Sequence, residues 1–433
     1  MITARLLGRF RRRAANQVLP GPDVGTLLAV TLETRLLTTD DLPAAWQLLE
    51  TAFGGSNHPD VRDVELALVE DGRFYGTYDG ALIVGTCGSF ALTMTVPGGP
   101  RPVAGVTWVG VAPTHRRQRV ASGLMRRQLD DLHAAGEPVA ALWASEGAIY
   151  QRFGYGPAAW EVAVRVPSKS AFTVPVDASG LRLIATPDAA DLAPAYKHAT
   201  DRRSGWQTRD EKWWAYRLHD PEHARHGASP LLAVVSESRY GIDGYALYAT
   251  APKWEHGVPV GEVRVRELVA ATPEVTAKLW RYLLDLDLMG TVAPHRVAPD
   301  DPVLHLLANP RAARPTMTDN LWVRLVDVAA ALANRCYAAP VDLVLDVIDE
   351  FCPWNNGRVR LSGDSTGATC APTTDAADVV VRAADLGAAY LGGTTLAARA
   401  AAGHVTETRP GALAEASLAF GWPGSAPYCP LVF

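Results

Sequence analysis

The chain has 433 residues, more than the roughly 250 to 300 at which a single hydrophobic core stops growing, so two or three domains are expected. Its 46 acidic and 41 basic side chains leave a small negative net charge, which argues against nucleic acid as a general partner. No apolar run approaches the roughly 18 residues that a membrane-spanning helix needs, so no membrane partner is expected either.

The N-terminal segment, residues 1–25, is rich in arginine and ends in the turn-forming sequence LPGPDVG. It lacks the apolar core and the small-residue cleavage site of a secretory signal. We therefore predict a disordered basic extension, with a targeting peptide or a phosphate-binding arm as the alternatives.

Residues 26–175 are predicted to form a layered unit of helices and largely antiparallel strands. The helix DLPAAWQLLETAF has apolar residues at helical spacing, with Asp41 as a candidate N-cap. Strands follow on both sides of the Asp-Gly pair at 79–80, which is a strong hairpin signal. A β-branched strand, a basic turn, a helix that starts near Ala121 or Ser122 and another buried strand complete the unit.

The remainder of the chain divides into two further segments. Residues 176–325 repeat the order of the first unit, a strand, a Thr-Asx turn and an amphipathic helix, which predicts a degenerate internal repeat. Residues 326–433 are rich in alanine, valine and aspartate, with a hairpin at the turn Asn355–Gly357 followed by short helices. The predicted fold class is mixed α+β.

The five cysteines are scattered along the chain, an odd number without C-x-x-C spacing. This pattern does not suggest a disulfide framework. It predicts reduced thiols in a cytoplasmic protein.

The turn before the helix at 121 carries Arg116, Arg117 and Arg119. A helix N-terminus presents unpaired N–H groups and about half a positive charge. Additional cations in front of it suit a pyrophosphate. An anion-binding turn is therefore predicted, with a solvated basic turn as the alternative.

The phrases VAPTHRRQRVASGLM and ASEGAIYQRFGYGPA carry a resemblance that extends over nearly the whole chain after the extension. They resemble the GCN5-related N-acetyltransferase (GNAT) superfamily, and within it the Eis family of acetyl-CoA-dependent aminoglycoside acetyltransferases. The resemblance implies tandem GNAT folds, of which the central one has lost cofactor binding. It also implies a C-terminal sterol-carrier-like α+β domain and a homo-hexamer.

The resemblance implies acetyl-CoA as the co-substrate, held along a splayed strand and against the basic turn. The backbone N–H groups of Val109 and Val111 would meet the pantetheine and the acetyl carbonyl. In the family pattern Gln/Arg-x-x-Gly-x-Gly/Ala, Arg119 replaces the first glycine, a residue that permits close backbone approach. The predicted cofactor residues are Val109, Val111, Arg116, Arg117, Gln118, Arg119, Val120, Ala121, Ser145 and Glu146.

The matching junction of the second unit, LVAATPEVTAKLW, has a different composition. Thr272 is a candidate N-cap, Pro273 suits the first helical position and Glu274 adds negative charge in the first turn. Without arginines or glycines to hold a pyrophosphate, this unit is predicted not to bind coenzyme A.

The resemblance assigns two catalytic groups, Tyr150 as general acid and the terminal carboxylate of Phe433 as general base. A phenol with a reference pKa near 10 stays protonated at neutral pH and can serve a leaving thiolate. A lysine-like amine needs a base, because deprotonating it at pH 7 costs about 4 to 5 kcal/mol. The alternatives are a core aromatic at Tyr150 and a purely structural tail, whereas Tyr155 is predicted to be a core residue.

The predicted acceptor is an aminoglycoside-like or other polyamine small molecule. Val432 stands where aminoglycoside-modifying relatives have an acid and Trp143 where a histidine is common, which predicts a more apolar pocket. A protein or peptide lysine as acceptor, and a non-catalytic acyl-CoA- or lipid-binding assembly, are the alternatives. The predicted pocket residues are Trp46, Phe53, Ser89, Phe90, Thr107, Trp108 and Trp143.

Two further patterns are predicted to carry no chemistry. GDSTG matches a nucleophile elbow by letter, but no helix follows it, so Ser365 is predicted to be a turn residue. His219, His223 and His226 are close in sequence, but Pro221 interrupts any shared helical face and no cysteine is near. They are predicted to be surface histidines, and no metal is expected.

Overall fold

The computed structural model describes residues 32–55 and 58–433. The predicted basic extension, 1–25, lies outside the described residues. Within the described part, no helix is long and apolar enough to span a lipid bilayer. The cysteines are free thiols, and all but Cys370 are buried.

Strands and helices alternate along the chain. The strands are β1 (Glu33–Leu36), β2 (Phe74–Asp79), β3 (Leu82–Val96), β4 (Gly99–Val111), β5 (Val139–Leu142), β6 (Gly156–Pro157), β7 (Trp160–Ala163), β8 (Val166–Pro167), β9 (Leu181–Ile184), β10 (Leu232–Ser238), β11 (Gly241–Ala251), β12 (Trp254–Glu255), β13 (Val258–Pro259), β14 (Gly261–Ala270), β15 (Met289–Pro294), β16 (Thr316–Asp319), β17 (Trp322–Leu325), β18 (Val341–Ile348), β19 (Gly357–Asp364), β20 (Gly367–Pro372), β21 (Val379–Arg382) and β22 (Val405–Glu407). The α-helices are α1 (Leu42–Phe53), α2 (Pro59–Leu66), α3 (Val120–Ala134), α4 (Gly147–Tyr150), α5 (Ala189–Thr200), α6 (Glu211–Leu218), α7 (Pro273–Asp285), α8 (Val303–Leu306), α9 (Val328–Ala333), α10 (Ala383–Ala389), α11 (Leu396–Ala401) and α12 (Ala412–Phe420).

The first sheet has the strand order β1-β2-β3-β4-β5-β17-β6. Strands β2 and β3 form the hairpin predicted from the Asp-Gly pair, with Asp79 opposite Leu82. Helices α1 and α3 pack on opposite faces of the sheet: Phe74 contacts the α1 side and Tyr75, the next residue, contacts the α3 side. This alternation follows from the two-residue period of a strand.

The second sheet repeats this plan, with the order β8-β15-β14-β11-β10-β9. Strand β14 runs antiparallel to β11 and parallel to β15, as β4 does with β3 and β5. Helix α7 follows β14 as α3 follows β4. The predicted internal repeat is confirmed at the level of topology.

The third sheet has the order β20-β19-β18-β21-β22, and α9 to α12 complete an α+β unit around it. The predicted hairpin is present, with β18 antiparallel to β19. Ser365 lies in the turn between β19 and β20, where Asp364 accepts a hydrogen bond from the Thr366 N–H at 2.7 Å. It is the turn residue that the sequence predicted.

The boundary predicted at 325 cuts across the first sheet. Strand β17, within the segment assigned to the central unit, lies between β5 and β6 of the first sheet. Because α10 of the third unit packs on β6 and β17, this strand joins the first and third units.

Asp41 does not cap α1 as predicted. Its carboxylate turns back to accept hydrogen bonds from the N–H and hydroxyl of Thr38, at 2.9 and 2.7 Å, and it pairs with Arg35. A short 3-10 turn, Thr39–Asp41, precedes the helix, and Thr38 takes the capping position. The sequence correctly predicted that a helical segment starts here, but the capping residue is Thr38, about one turn before the predicted Asp41.

Candidate active site

A cleft opens in the first sheet where β4 and β5 separate. The two strands pair from Ala104, beside Ala140, to Val106, beside Leu142. Strand β5 ends there, whereas β4 continues to Val111. Beyond the split, within the described residues, β4 has no strand partner on the β5 side, so its backbone groups are available to a ligand.

A β-bulge directs this free edge of β4 toward the cleft. The β3–β4 register shifts at Trp108, which adopts a φ of +54°, a conformation that is rare for a bulky residue. The N–H of Ala112 donates to the carbonyl of Val84 on β3 at 2.9 Å. Because N–H groups alternate in direction along a strand, those of Val109 and Val111 face away from β3, toward the cleft.

The basic turn connects β4 to α3 beside this edge. Arg117 and Arg119 have φ values of +64° and +63°. Arg119 therefore keeps the left-handed backbone that a glycine would adopt without strain. It precedes the first residue of α3, Val120, and places its exposed side chain at the helix N-terminus. In the described part of the chain, Arg116, Arg117 and Arg119 form no salt bridge.

The cleft between the split strands and the basic turn has a volume of about 710 Å³. Every predicted cofactor residue lines it except Gln118, whose amide donates to the Thr114 carbonyl at 3.3 Å. The side chain of Gln118 folds back on its own turn, and a contact between Gln118 and the cofactor stays a prediction. The sequence interpretation missed the lining residues Ser122, in the first turn of α3, and Arg152, within the diagnostic second phrase.

Tyr150 lies where this cleft meets a second cavity. It is the last residue of α4 and only 4% exposed. Burial raises the pKa of its phenol, and a hydrogen bond with Ser145 acts in the opposite direction. Tyr150 therefore stays protonated at neutral pH. Its neighbour Tyr155 is fully buried and its hydroxyl has no hydrogen-bond partner, consistent with the predicted core position.

The glycines after Tyr150 permit close approach to β17 and to α10 of the third unit. A Cβ at Gly154, whose φ is +83°, would lie 2.0 Å from the guanidinium of Arg324. A Cβ at Gly156 would lie 1.9 Å from the carbonyl oxygen of Ala384 in α10. Arg324 is itself fully buried in a 2.5 Å ion pair with Asp349. The turn that carries Tyr150 is therefore held by interdomain packing.

The C-terminal tail is docked, as predicted, and ends in the second cavity. Asn320 holds Cys429 through two hydrogen bonds: it accepts from the Cys429 N–H at 2.8 Å and donates to its carbonyl at 3.1 Å. The indole N–H of Trp143 donates to the Leu431 carbonyl at 3.1 Å. Trp143 thus anchors the chain just before Phe433.

The second cavity has a volume of about 370 Å³ and mostly apolar walls. The predicted pocket residues that line it are Trp46, Phe53, Thr107, Trp108 and Trp143. Ser89 and Phe90 do not line this cavity, because both are buried on β3, one strand away from the open edge of β4, and their place in the acceptor pocket stays a prediction. Phe90 packs against Phe74 and Trp213 instead.

The two cavities share Phe53, Val109, Ser145 and Tyr150. A molecule bound along β4 in the first cavity can therefore face a second molecule that enters through the second cavity. Phe433 lines the second cavity, on the far side of that junction from the basic turn.

Known proteins share this domain plan. Residues 33–158 and 205–325 each match a family described as acetyltransferase (GNAT) domain, and residues 328–430 match the sterol carrier protein domain. The chain is 34% identical to N-acetyltransferase Eis of Mycobacterium tuberculosis, over 85% of this chain and 91% of the relative. The chain belongs to the Eis family of GNAT N-acetyltransferases.

Other relatives agree with the Eis assignment. An uncharacterised N-acetyltransferase of Streptomyces avermitilis is 44% identical over 93% of this chain and 99% of its own length. The crystal structure of Eis1 from Mycobacterium abscessus superposes with a TM-score of 0.80 at 32% identity, covering 93% of this chain and all of that one. The predicted fold is confirmed, and the protein is an acyltransferase.

Two acids in this Eis-family cavity were missed from the sequence, Glu50 and Glu65. Glu50 accepts a hydrogen bond from the Trp46 indole at 3.2 Å. Glu65 lies on α2, and burial raises its pKa to about 7. Its spacing from Val61 and Leu68 places it on the apolar face of that helix, which is the signal that could have identified it.

The second GNAT domain of this Eis-family chain has a corresponding cleft between β14 and β15. Thr272 caps α7, accepting from the Val275 N–H at 3.3 Å, as predicted. A cavity of about 350 Å³ at this position is lined in part by Tyr428 and Pro430 of the C-terminal tail. That this domain does not bind coenzyme A stays a prediction.

Proposed function

We propose that the enzyme transfers the acetyl group of acetyl-CoA directly to an amine. The observation that carries this proposal is the junction at Tyr150, which lines both the basic cleft and the apolar cavity. Reactants held on its two sides would meet without a bimolecular encounter, which removes much of the entropic barrier. In the described residues no cysteine lines either cavity, so we assign direct attack without an acyl-enzyme intermediate.

Acetyl-CoA suits the first cavity in charge and in backbone geometry. Four arginines, three in the basic turn and Arg152, face a single acid, Glu146. This excess of positive charge and the N-terminus of α3 suit the phosphates of the cofactor. The N–H groups of Val109 and Val111 would bind the pantetheine and the acetyl carbonyl.

We assign Tyr150 as the general acid. When the amine nitrogen attacks, the C–N bond forms, the C–S bond breaks and the electron pair leaves on sulfur. A thiol with a reference pKa near 8.5 is more acidic than a phenol near 10, so complete proton transfer from Tyr150 to the thiolate is uphill by about 2 kcal/mol. The thiolate takes the Tyr150 proton, and the tyrosinate left behind regains a proton from water. The hydrogen bond from the phenol also stabilises the developing thiolate.

We assign the carboxylate of Phe433 as the base that takes the amine proton. Its reference pKa near 3.5 lies far below that of an amine near 10.4. Apolar walls disfavour the charged forms of both groups and so narrow this gap. Glu65, which lines the same cavity with a pKa of about 7, is a second candidate for this role.

The acceptor class follows from the sparse charge of the cavity. Aromatic and aliphatic side chains form most of the wall, and its side-chain acids are Glu50 and Glu65, the latter only half ionised near neutral pH. A polycation such as an aminoglycoside needs several carboxylates to compensate for the hydration that its ammonium groups lose on binding. The cavity therefore favours a primary amine on an apolar scaffold over the predicted aminoglycoside-like acceptor.

Two measurements on tag-free enzyme test this proposal. Calorimetry measures acetyl-CoA binding, and release of the coenzyme A thiol is followed with an arylalkylamine, a polyamine, an aminoglycoside and a lysine peptide. We expect binding, and turnover highest with the arylalkylamine. Binding without thiol release from any amine would favour the non-catalytic acyl-CoA assembly, whereas preferred turnover of the lysine peptide would favour a protein acceptor.

A further inference from the structure

Three histidines and one carboxylate meet outside the active site, where the two GNAT domains face each other. His58 and Asp60 flank the first residue of α2, in the first domain. His219 follows α6, and His223 lies in the short 3-10 helix after it, in the second domain. The sequence separates these two pairs so widely that only the fold brings them together.

The geometry is close to that of a metal site. The Nδ1 atom of His58 lies 2.7 Å from Asp60 Oδ1, and the Nε2 atom of His223 lies 3.4 Å from the same oxygen. The potential ligand atoms of these three residues all lie within 4.8 Å of one another. Ligands about 2.0 to 2.1 Å from a tetrahedral ion are separated by about 3.4 Å, so the exposed His58 must move about 0.7 Å away from Asp60 Oδ1 and out of its stacked contact with the His223 ring.

His219 supplies an independent observation. Its Nε2 atom is buried without a hydrogen-bond partner and lies 3.8 Å from Asp60 Oδ2. An imidazole nitrogen left unpaired in this way is costly unless a ligand satisfies it. His219 and His226 both lie outside the set whose ligand atoms are within 4.8 Å of one another, so His219 has to move closer to join it.

We propose that His58, Asp60 and His223 bind one Zn²⁺ ion and that His219 completes its coordination. Imidazole nitrogens with one carboxylate form a set that suits zinc, and the interval between His219 and His223 is a spacing common among zinc ligands. Mg²⁺ and Ca²⁺, which take oxygen ligands, do not fit this set. This proposal departs from the prediction that His219 and His223 are simple surface histidines.

The ion would tie α2 to the second domain. Helix α2 carries Glu65, which lines both the acceptor cavity and an adjoining cavity of about 690 Å³. His219 and Val432 line that adjoining cavity as well. Zinc would therefore fix one wall of the route to the acceptor cavity. The assignment of the metal does not depend on the proposed acetyl transfer.

Zinc binding is tested on tag-free full-length protein stripped with a chelator and dialysed. Zn²⁺ is titrated by calorimetry, and the melting temperature is recorded with Zn²⁺ or Mg²⁺. His223→Ala and Asp60→Asn remove ligands. His226→Asn is the matched control in the same loop, since asparagine tolerates the positive φ of that residue, +48°. Circular dichroism and gel filtration establish that each variant is folded.

We expect one Zn²⁺ per chain with a Kd below about 10 µM, a higher melting temperature with Zn²⁺ but not with Mg²⁺, and at least tenfold weaker binding in both ligand variants. The control should bind as the wild type does. A Co²⁺-loaded sample should show the visible absorption of a tetrahedral site and lose it in His223→Ala. Weaker wild-type binding, or unchanged binding in folded ligand variants, would overturn the proposal.

Discussion

Three active-site residues, Trp108, Arg117 and Arg119, hold backbone conformations that their side chains disfavour. Trp108 and Arg119 have positive φ values, at a cost on the order of 1 to 2 kcal/mol each. Trp108 marks the bulge that frees the edge of β4, and Arg119 starts α3 with a cation. The sequence identified Arg119, because a glycine pattern flags a special backbone. It could not identify the bulge, which arises from the register of two strands.

Glu65 has a pH-dependent effect on stability. Burial raises its folded-state pKa to about 7 from a reference of 4.5, so the folded protein loses stability as the pH rises from about 4.5 to about 7, and the loss is complete above the folded-state pKa. Glu65→Gln removes this pH-dependent loss. We expect the free energy of unfolding of the variant, relative to that of the wild type, to increase by about 1 to 3 kcal/mol from pH 5 to pH 8, measured by urea unfolding. An equal difference in stability at the two pH values would contradict the assignment.

At the scale of elements, local sequence signals predicted most strands of the first sheet, but not the strand that a distant segment of the chain adds to it. The Asp-Gly hairpin and the start of α3 were predictable because turn and capping chemistry lie within a few residues. Strand β17 was not, because its pairing with β5 and β6 depends on packing between distant segments. For the same reason, the sequence could not predict that α2, with Asp60 and Glu65, lies close to the second domain.

The contact between β6 and α10 predicts a strong difference between two glycine variants. Gly156→Ala would place a Cβ 1.9 Å from a carbonyl oxygen of α10, so we expect a loss of at least about 3 kcal/mol. Gly123→Ala is the control, because that position in α3 is open, and it should stabilise by about 0.5 to 1 kcal/mol. Thermal unfolding measures both, and similar melting temperatures would contradict the packing described for Gly156.

At the scale of the whole molecule, one tail connects all three domains. It leaves the third domain after α12, passes the cleft of the second through Tyr428 and Pro430, and ends with Phe433 in the cavity of the first. The second GNAT domain therefore contacts the tail on its way to the first. The homo-hexamer implied by the family resemblance is a proposal that light scattering on the purified chain would test.

Removing the anchor of the tail should affect catalysis more than cofactor binding. Asn320→Ala leaves the N–H and carbonyl of Cys429 without partners, at a cost of about 1 to 3 kcal/mol. We expect kcat to fall at least tenfold while the acetyl-CoA affinity stays unchanged. Asn309→Ala, at an exposed position, is the control. A parallel loss of acetyl-CoA binding would show that the tail supports the cleft rather than the reaction.

The most direct test of acetyl transfer at the Tyr150 junction is the rate of thiol release in two tyrosine variants. Tyr150→Phe removes the phenol at the junction, whereas Tyr155→Phe removes a buried hydroxyl that has no partner. The account predicts a 10²- to 10⁴-fold lower kcat for Tyr150→Phe, with unchanged acetyl-CoA binding, and wild-type activity for Tyr155→Phe. Wild-type turnover in Tyr150→Phe would contradict it.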